Sequence, residues 1–173
     1  ATGTFQNLTQ GNYTVLISDA NGCTTSANEI VANTAGPAIS SIAATNSGCF
    51  DGDDGSVTIQ INGGTGPFNY SIDGGVTMQS SDFFGNLAPG NYQILVTDAN
   101  GCTLNVPVTV SQPSALSATI AISNVLCNGA STGSVVITPS GGVGPYTISP
   151  AQTGLDAGNH TFTVTDANGC SIT

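Results

Sequence analysis

Neither lysine nor arginine occurs anywhere in the 173 residues. Binding of nucleic acid through its phosphates is therefore excluded, because counterion release needs cationic side chains. A chain of formal charge −10 is repelled by an anionic membrane surface unless a divalent ion bridges them. No apolar stretch approaches the roughly 18 residues that would cross a bilayer. Lysine-dependent isopeptide staples are ruled out as well, and trypsin has no cleavage site. Tryptophan is absent, which weighs against flat aromatic platforms for sugars. No C-x-x-C pair is present and His160 is the sole histidine, so a zinc site is not expected. There is no initiator methionine, signal peptide or sorting tail, and the sequence reads as an interior window on a longer polypeptide.

Hydrophobic residues make up 39% of the chain, much of it Val and Ile, which is enough for packed cores. Five cysteines in an acidic, lysine-free chain point to an oxidising extracellular setting.

The pentapeptide DANGC stands at 19–23, 98–102 and 166–170. Longer similarity surrounds it: FQNLTQGNYTVLISDANGC, FGNLAPGNYQILVTDANGC and TGLDAGNHTFTVTDANGC. Further upstream, CFDGDDGSVTIQINGGTGPFNYSI matches CNGASTGSVVITPSGGVGPYTISP. The period of roughly 70–80 residues is too long for a solenoid coil and suits a small autonomous domain. The expected division is 1–36 as the back end of one repeat and 37–113 as a whole repeat. Residues 114–173 are then a third repeat without its last strand.

Apolar residues alternate with period two, the signature of half-buried strands. The inward sets are Val57, Ile59 and Ile61, then Tyr92, Ile94 and Val96, with counterparts Tyr13, Val15 and Ile17 and His160, Phe162 and Val164. Phe68, Tyr70 and Ile72 form another, and 38–45 and 116–124 supply a first strand for each repeat. Leu104, Val106, Val108 and Val110 share one phase with Pro107 on the other, which marks an edge strand. No window has a helical period. Asn-Gly suits a tight hairpin in which both positions take positive φ, so DANG reads as the turn between the last two strands, with Asp as a local acceptor. Short strands separated by Gly/Pro turns predict an all-β chain of tandem Ig-like antiparallel β-sandwiches. The L-x-x-G-x-Y segment resembles the corner at which a Tyr hydroxyl caps backbone. That role falls to Tyr13, Tyr92 and, in the third copy, His160.

Two cysteine pairings are open. Bonds within repeats, Cys49–Cys102 and Cys127–Cys170, each close a loop of roughly 45–55 residues, worth about 4 kcal/mol in the chain-entropy model. Cys23 is then left for a cysteine outside the window. Against this, a seven-strand sandwich places five strands between Cys49 and Cys102, which sends them to opposite poles. In a linear stack Cys49 would then meet Cys170 of the next repeat. The bonds within repeats are the ones expected here.

Little else in the sequence suggests chemistry. Asp51, Asp53 and Asp54 in DGDDG are the residues for a Ca²⁺ ion if one binds. The run lacks the full EF-hand spacing and has no equivalent in the third repeat, so a solvated turn is expected and no cofactor is assigned. GGTG and GGVG carry no lysine and open no helix, so they are turns rather than phosphate cradles. Asn7, Asn12, Asn69 and Asn159 begin N-x-[ST] sequons, which would be incidental if the source were bacterial. No nucleophile–base pair is visible, and an enzyme is not expected.

The motifs C-x-G-x-x-x-G-S-V-x-I, GG-x-G-P-[FY], L-x-x-G-x-[YH] and V-T-D-A-N-G-C together resemble the SprB-type repeat, in this element order through nearly the whole chain. Such repeats occur in very large gliding-motility adhesins and other secreted surface proteins of Bacteroidota. The resemblance implies a tandem Ig-like (PKD-like) array, exported by the type 9 route and displayed on the cell surface as filaments. The expected function is a structural or adhesive stalk segment whose partners are neighbouring repeats and other copies. Rival readings are a carbohydrate- or surface-binding module, with Phe83, Phe84 and Tyr70 as contacts to a surface polysaccharide, and an accessory domain of a secreted hydrolase.

Overall fold

The computed structural model describes residues 3–127 and 129–173. Chain contacts divide it into two units, 1–36 and 37–173. The first unit is an antiparallel hairpin of β1 (Gly11–Ser18) and β2 (Thr24–Val31), closed by the pair Ser18 and Thr24. Tyr13 and Val15 are half-buried on one face. Ile17, expected on that same face, is exposed together with Leu16 and Ile30.

The second unit begins with six strands: β3 (Pro37–Thr45), β4 (Gly55–Gly63), β5 (Asn69–Ser71), β6 (Phe83–Leu87), β7 (Gly90–Thr97) and β8 (Thr103–Val110). They form two three-stranded antiparallel sheets, β3-β4-β6 and β5-β7-β8. Alternation puts Val57 and Ile59 of one sheet and Ile94 and Val96 of the other into a common core with Tyr70, Leu87 and Val110. Each such aliphatic side chain contributes about 1.5–3 kcal/mol by leaving water. Pro107 lies on β8, an edge strand of its sheet, opposite Gln93. Gly55 sits where the sheets converge. A Cβ there would lie 2.6 Å from Val110 Cγ1 and 2.7 Å from the Leu87 carbonyl, so no larger residue fits.

Register fixes the poles. Gly55 pairs with Leu87 and Gly90 with Val110, so the 46–54 loop, the β6–β7 turn and the end of β8 share one pole. The β4–β5 loop and the 98–102 hairpin share the other, where the Thr65 N–H donates to Asp98.

Residues 117–172 repeat the plan with β9 (Ser117–Ser123), β10 (Gly133–Ser140), β11 (Thr147–Ser149), β12 (Thr153–Leu155), β13 (Thr163–Thr165) and β14 (Ser171–Ile172). Their sheets are β12-β10-β9 and β11-β13-β14. The core here is thinner. Ile137 and Val164 are buried, whereas Ile120 and Ile122 are 62% and 70% exposed. In the preceding repeat Leu104, Val108 and Val110 of the eight-residue β8 cover that side, and β14 has only two residues. Of the inward set expected from His160, Phe162 and Val164, only Val164 is fully buried. Among the described residues every regular element is a strand, and the fold is all-β, in antiparallel sandwiches.

Candidate functional site at the junction of two repeats

The DANGC hairpin is organised by its aspartate. Asp98 Oδ1 accepts the N–H groups of Asn100 (2.9 Å) and Cys102 (2.8 Å), and Oδ2 accepts Thr65 N–H at 3.1 Å. Asp166 does the same with Asn168, Cys170 and Val143, at 2.9 Å each. Asp19 takes Asn21 and Cys23. The carboxylate therefore shapes its own turn and, in the second unit, fastens the hairpin to the GGTG or GGVG loop. The turn differs from the expected two-residue form. Asp98 pairs with Cys102 around three residues, and only Gly101 takes positive φ (79°), as in a type I turn followed by a bulge.

Both hub aspartates are buried yet ionise readily. Burial raises the Asp98 pKa, but the N–H donors of Thr65, Cys102 and Asn100 outweigh it and hold the carboxyl below its ordinary range. At Asp166 the Val143 N–H leads, against burial, and Cys170 and Asn168 add to it. A depressed folded pKa contributes stability above the unfolded value and loses it as pH falls through the folded one. Melting temperature is thus expected to be level from neutrality down to about pH 5 and to decline below it. Replacing Asp98 by Asn should flatten that decline for the 37–110 repeat. An equally steep acid limb in the variant would remove Asp98 from this role.

At the other pole of the first sandwich the 46–54 loop is equally ordered. Asp54 accepts the Ser47 hydroxyl at 2.7 Å and the Gly48 N–H at 3.0 Å, which depress its pKa in that order. Asn46 and Ser47 bond the Ser111 backbone, and Gln112 accepts the Asp51 N–H at 2.6 Å, so the loop holds the start of the linker. Asp51, Asp53 and Asp54 do not form a cation cage. Among the described residues no group of three or more His, Cys, Asp or Glu is placed to hold a metal.

The two poles meet at the junction. Asn168 of the last hairpin donates its Nδ2 to the Gly48 carbonyl at 2.8 Å, and Cys170 is disulfide-bonded to Cys49, with Cα atoms 5.8 Å apart. Phe50, Pro113, Leu116 and Ile172 line the crevice beside the bond. This corrects the expected bonds within repeats, Cys49–Cys102 and Cys127–Cys170. Cys49 and Cys102 occupy opposite poles of one sandwich, separated by the nine residues of β4, or roughly 27 Å. A disulfide needs Cα atoms within about 7 Å. Cys127 and Cys170 are likewise kept apart by the eight residues of β10, or roughly 25 Å. Cys23 and Cys127 are exposed thiols and Cys102 is half-buried.

The hydroxyls of Tyr13 and Tyr92 donate to the carbonyls of Thr9 and Ala88, both at 2.7 Å. His160 Nε2 lies 3.0 Å from the Asp156 carbonyl and 3.3 Å from its carboxylate. All three sit at one corner four residues after the group they bind. Of the aromatics considered for a surface contact, Tyr70 is buried, Phe84 packs against the core, and Phe83 is exposed. One ordered cluster went unread in the sequence. Ser71 and Thr77 hydroxyls donate to Asp73 at 2.6 Å each and hold its carboxyl far below the usual range. The S-x-D-x-x-x-T spacing was the available signal.

No curated protein matches the chain. The family model for the SprB repeat matches residues 41–77 and 119–150, which in each copy run from the first strand past the Gly-Pro loop. Two segments in succession, each beginning a sandwich of one plan, are thus similar to the SprB repeat.

Proposed function

We propose that this chain is a load-bearing segment of a long secreted adhesin stalk at the cell surface, with successive repeats set head to tail. The observation that carries this reading is the Cys49–Cys170 bond between facing poles of neighbouring repeats. Tension applied along the chain follows the shortest covalent route. From Pro37 that route runs along β3 to Cys49, crosses the disulfide, and leaves through Cys170. The second sandwich beyond its first strand, and nearly all of the third, lie off the loaded path. Uniform negative charge keeps such a fibre soluble and opposes bundling. The lack of lysine and arginine removes trypsin-type cleavage sites. The role is structural rather than catalytic, and secretion into an oxidising space supplies the bond.

Single-molecule pulling on the chain, with handles at its two ends, tests this. Cys49 and Cys170 are 121 residues apart. The oxidised chain should withhold roughly 400 Å of extended length that reduction releases. Equal extension before and after reduction would overturn the load-bearing role.

A further inference from the structure

Both halves of the junction recur elsewhere in the chain. The hairpin half occurs three times, with Asp19, Asp98 and Asp166 each accepting the N–H of the cysteine four residues on, so Cys23, Cys102 and Cys170 are presented alike. The loop half occurs twice. Gly52 N–H donates to the Cys49 carbonyl at 3.2 Å, and Ala130 N–H donates to the Cys127 carbonyl at 3.1 Å, the same turn at the same offset. Cys127 lies at the pole opposite Cys170 in its own repeat, as Cys49 lies opposite Cys102. Cys127 and its neighbour Leu126, 85% exposed, lie uncovered. One hairpin half and one loop half are joined, at Cys170 and Cys49.

We infer that this bond is one rung of a periodic ladder, in which the first-loop cysteine of each SprB repeat bonds the hairpin cysteine of the next. Cys127 then takes the hairpin cysteine of a following repeat, and Cys102 and Cys23 each take the first-loop cysteine of a preceding one. The partner in every case is another repeat of this family, and the inference rests on the stalk reading for the supply of such repeats. Direction is built in. A hairpin cysteine meets only the loop pole of its neighbour, so the rungs enforce head-to-tail order and one bond per junction. Each rung forms by joining two thiols. The two protons and two electrons pass to a disulfide oxidant, which is reduced to two thiols.

Non-reducing peptide mapping of the secreted full-length protein tests the ladder. Chymotrypsin suits the purpose, because cleavage after Leu104 and Leu126 separates Cys102 from Cys127. The expected result is a Cys127 peptide bonded to an ANGC-type hairpin peptide and a Cys102 peptide bonded to a first-loop peptide. A Cys127→Ser variant should expose one newly alkylatable thiol, at the hairpin of the following repeat, and none at Cys102. Free thiols at Cys102 and Cys127, or a bond between those two, would overturn the ladder. If the pulling result still holds in either case, the stalk reading stands without it; if pulling fails while the rungs map as expected, the ladder stands and the load-bearing role falls.

Discussion

Replacing Cys170 by Ser is expected to destabilise residues 117–172 by about 4 kcal/mol and to leave 37–110 nearly unchanged. In the chain-entropy model a bond closing a 121-residue loop removes about 5 kcal/mol of freedom from the fully unfolded chain. The third repeat can unfold while its neighbour stays folded, however. Ser47 and Asn46 hold the Ser111 backbone beside Cys49, so the loop then closed runs only from the linker to Cys170. That shorter loop gives about 4 kcal/mol. The third repeat is also where such a contribution matters most, since among its described residues Ile137 and Val164 are the only buried large apolar ones and Ile120 and Ile122 face water. Urea unfolding followed separately in the two repeats should show the third transition moving to lower denaturant in the variant, and likewise on reduction of the parent chain. Coincident curves for variant and parent would mean that the bond only decorates a junction held by other contacts.

The parts of this architecture that were legible in the sequence are those with a short local cause. Val57 and Ile59 alternate with Thr58 and Gln60 because one face of β4 is buried and the other wet, and such a pattern has no other economical reading. DANGC announced its hairpin because an aspartate, a positive-φ glycine and flanking alternation lie within a few residues of one another. Strand β6 was missed for an equally local reason: adjacent Phe83 and Phe84 followed by Gly85 break the alternation. The cysteine pairing was illegible because it depends on how many times the chain crosses between poles. Residues 72–82 make one such crossing through the bridges of Tyr70 with Gln79 and Asp73 with Gln93, and isolated bridges leave no periodic trace. A seven-strand count sends Cys49 and Cys102 to opposite poles, whereas the loop entropy of the bonds expected within repeats, about 4 kcal/mol each, is gained only at a shared one. Geometry overrides that gain, since no loop entropy is recovered by a bond that cannot span the sandwich.

Truncating Ile94 to Ala should cost the 37–110 repeat about 2–5 kcal/mol, the usual range for emptying a fully buried aliphatic site. Ile94 is fully enclosed in the core that the two sheets form, with Val57, Ile59, Val96 and Val110, and a close-packed interior relaxes only partly into a vacated volume. Its counterpart in the third repeat, Phe162, lies outside that core, whose buried members and the partly buried residues packed on them all fall between Ile39 and Val110. The loss should therefore stay on one side of the junction. Native-state hydrogen exchange reads this directly. Amides of β4 and β7 should exchange roughly 30- to 5,000-fold faster in the variant, the rate equivalent of that range, while those of β10 and β13 hold their parent rates. Were β10 and β13 to accelerate in step, the two sandwiches would share one cooperative core. The disulfide would then tie together what is already a single body, and a stalk assembled from separable links would no longer describe this chain.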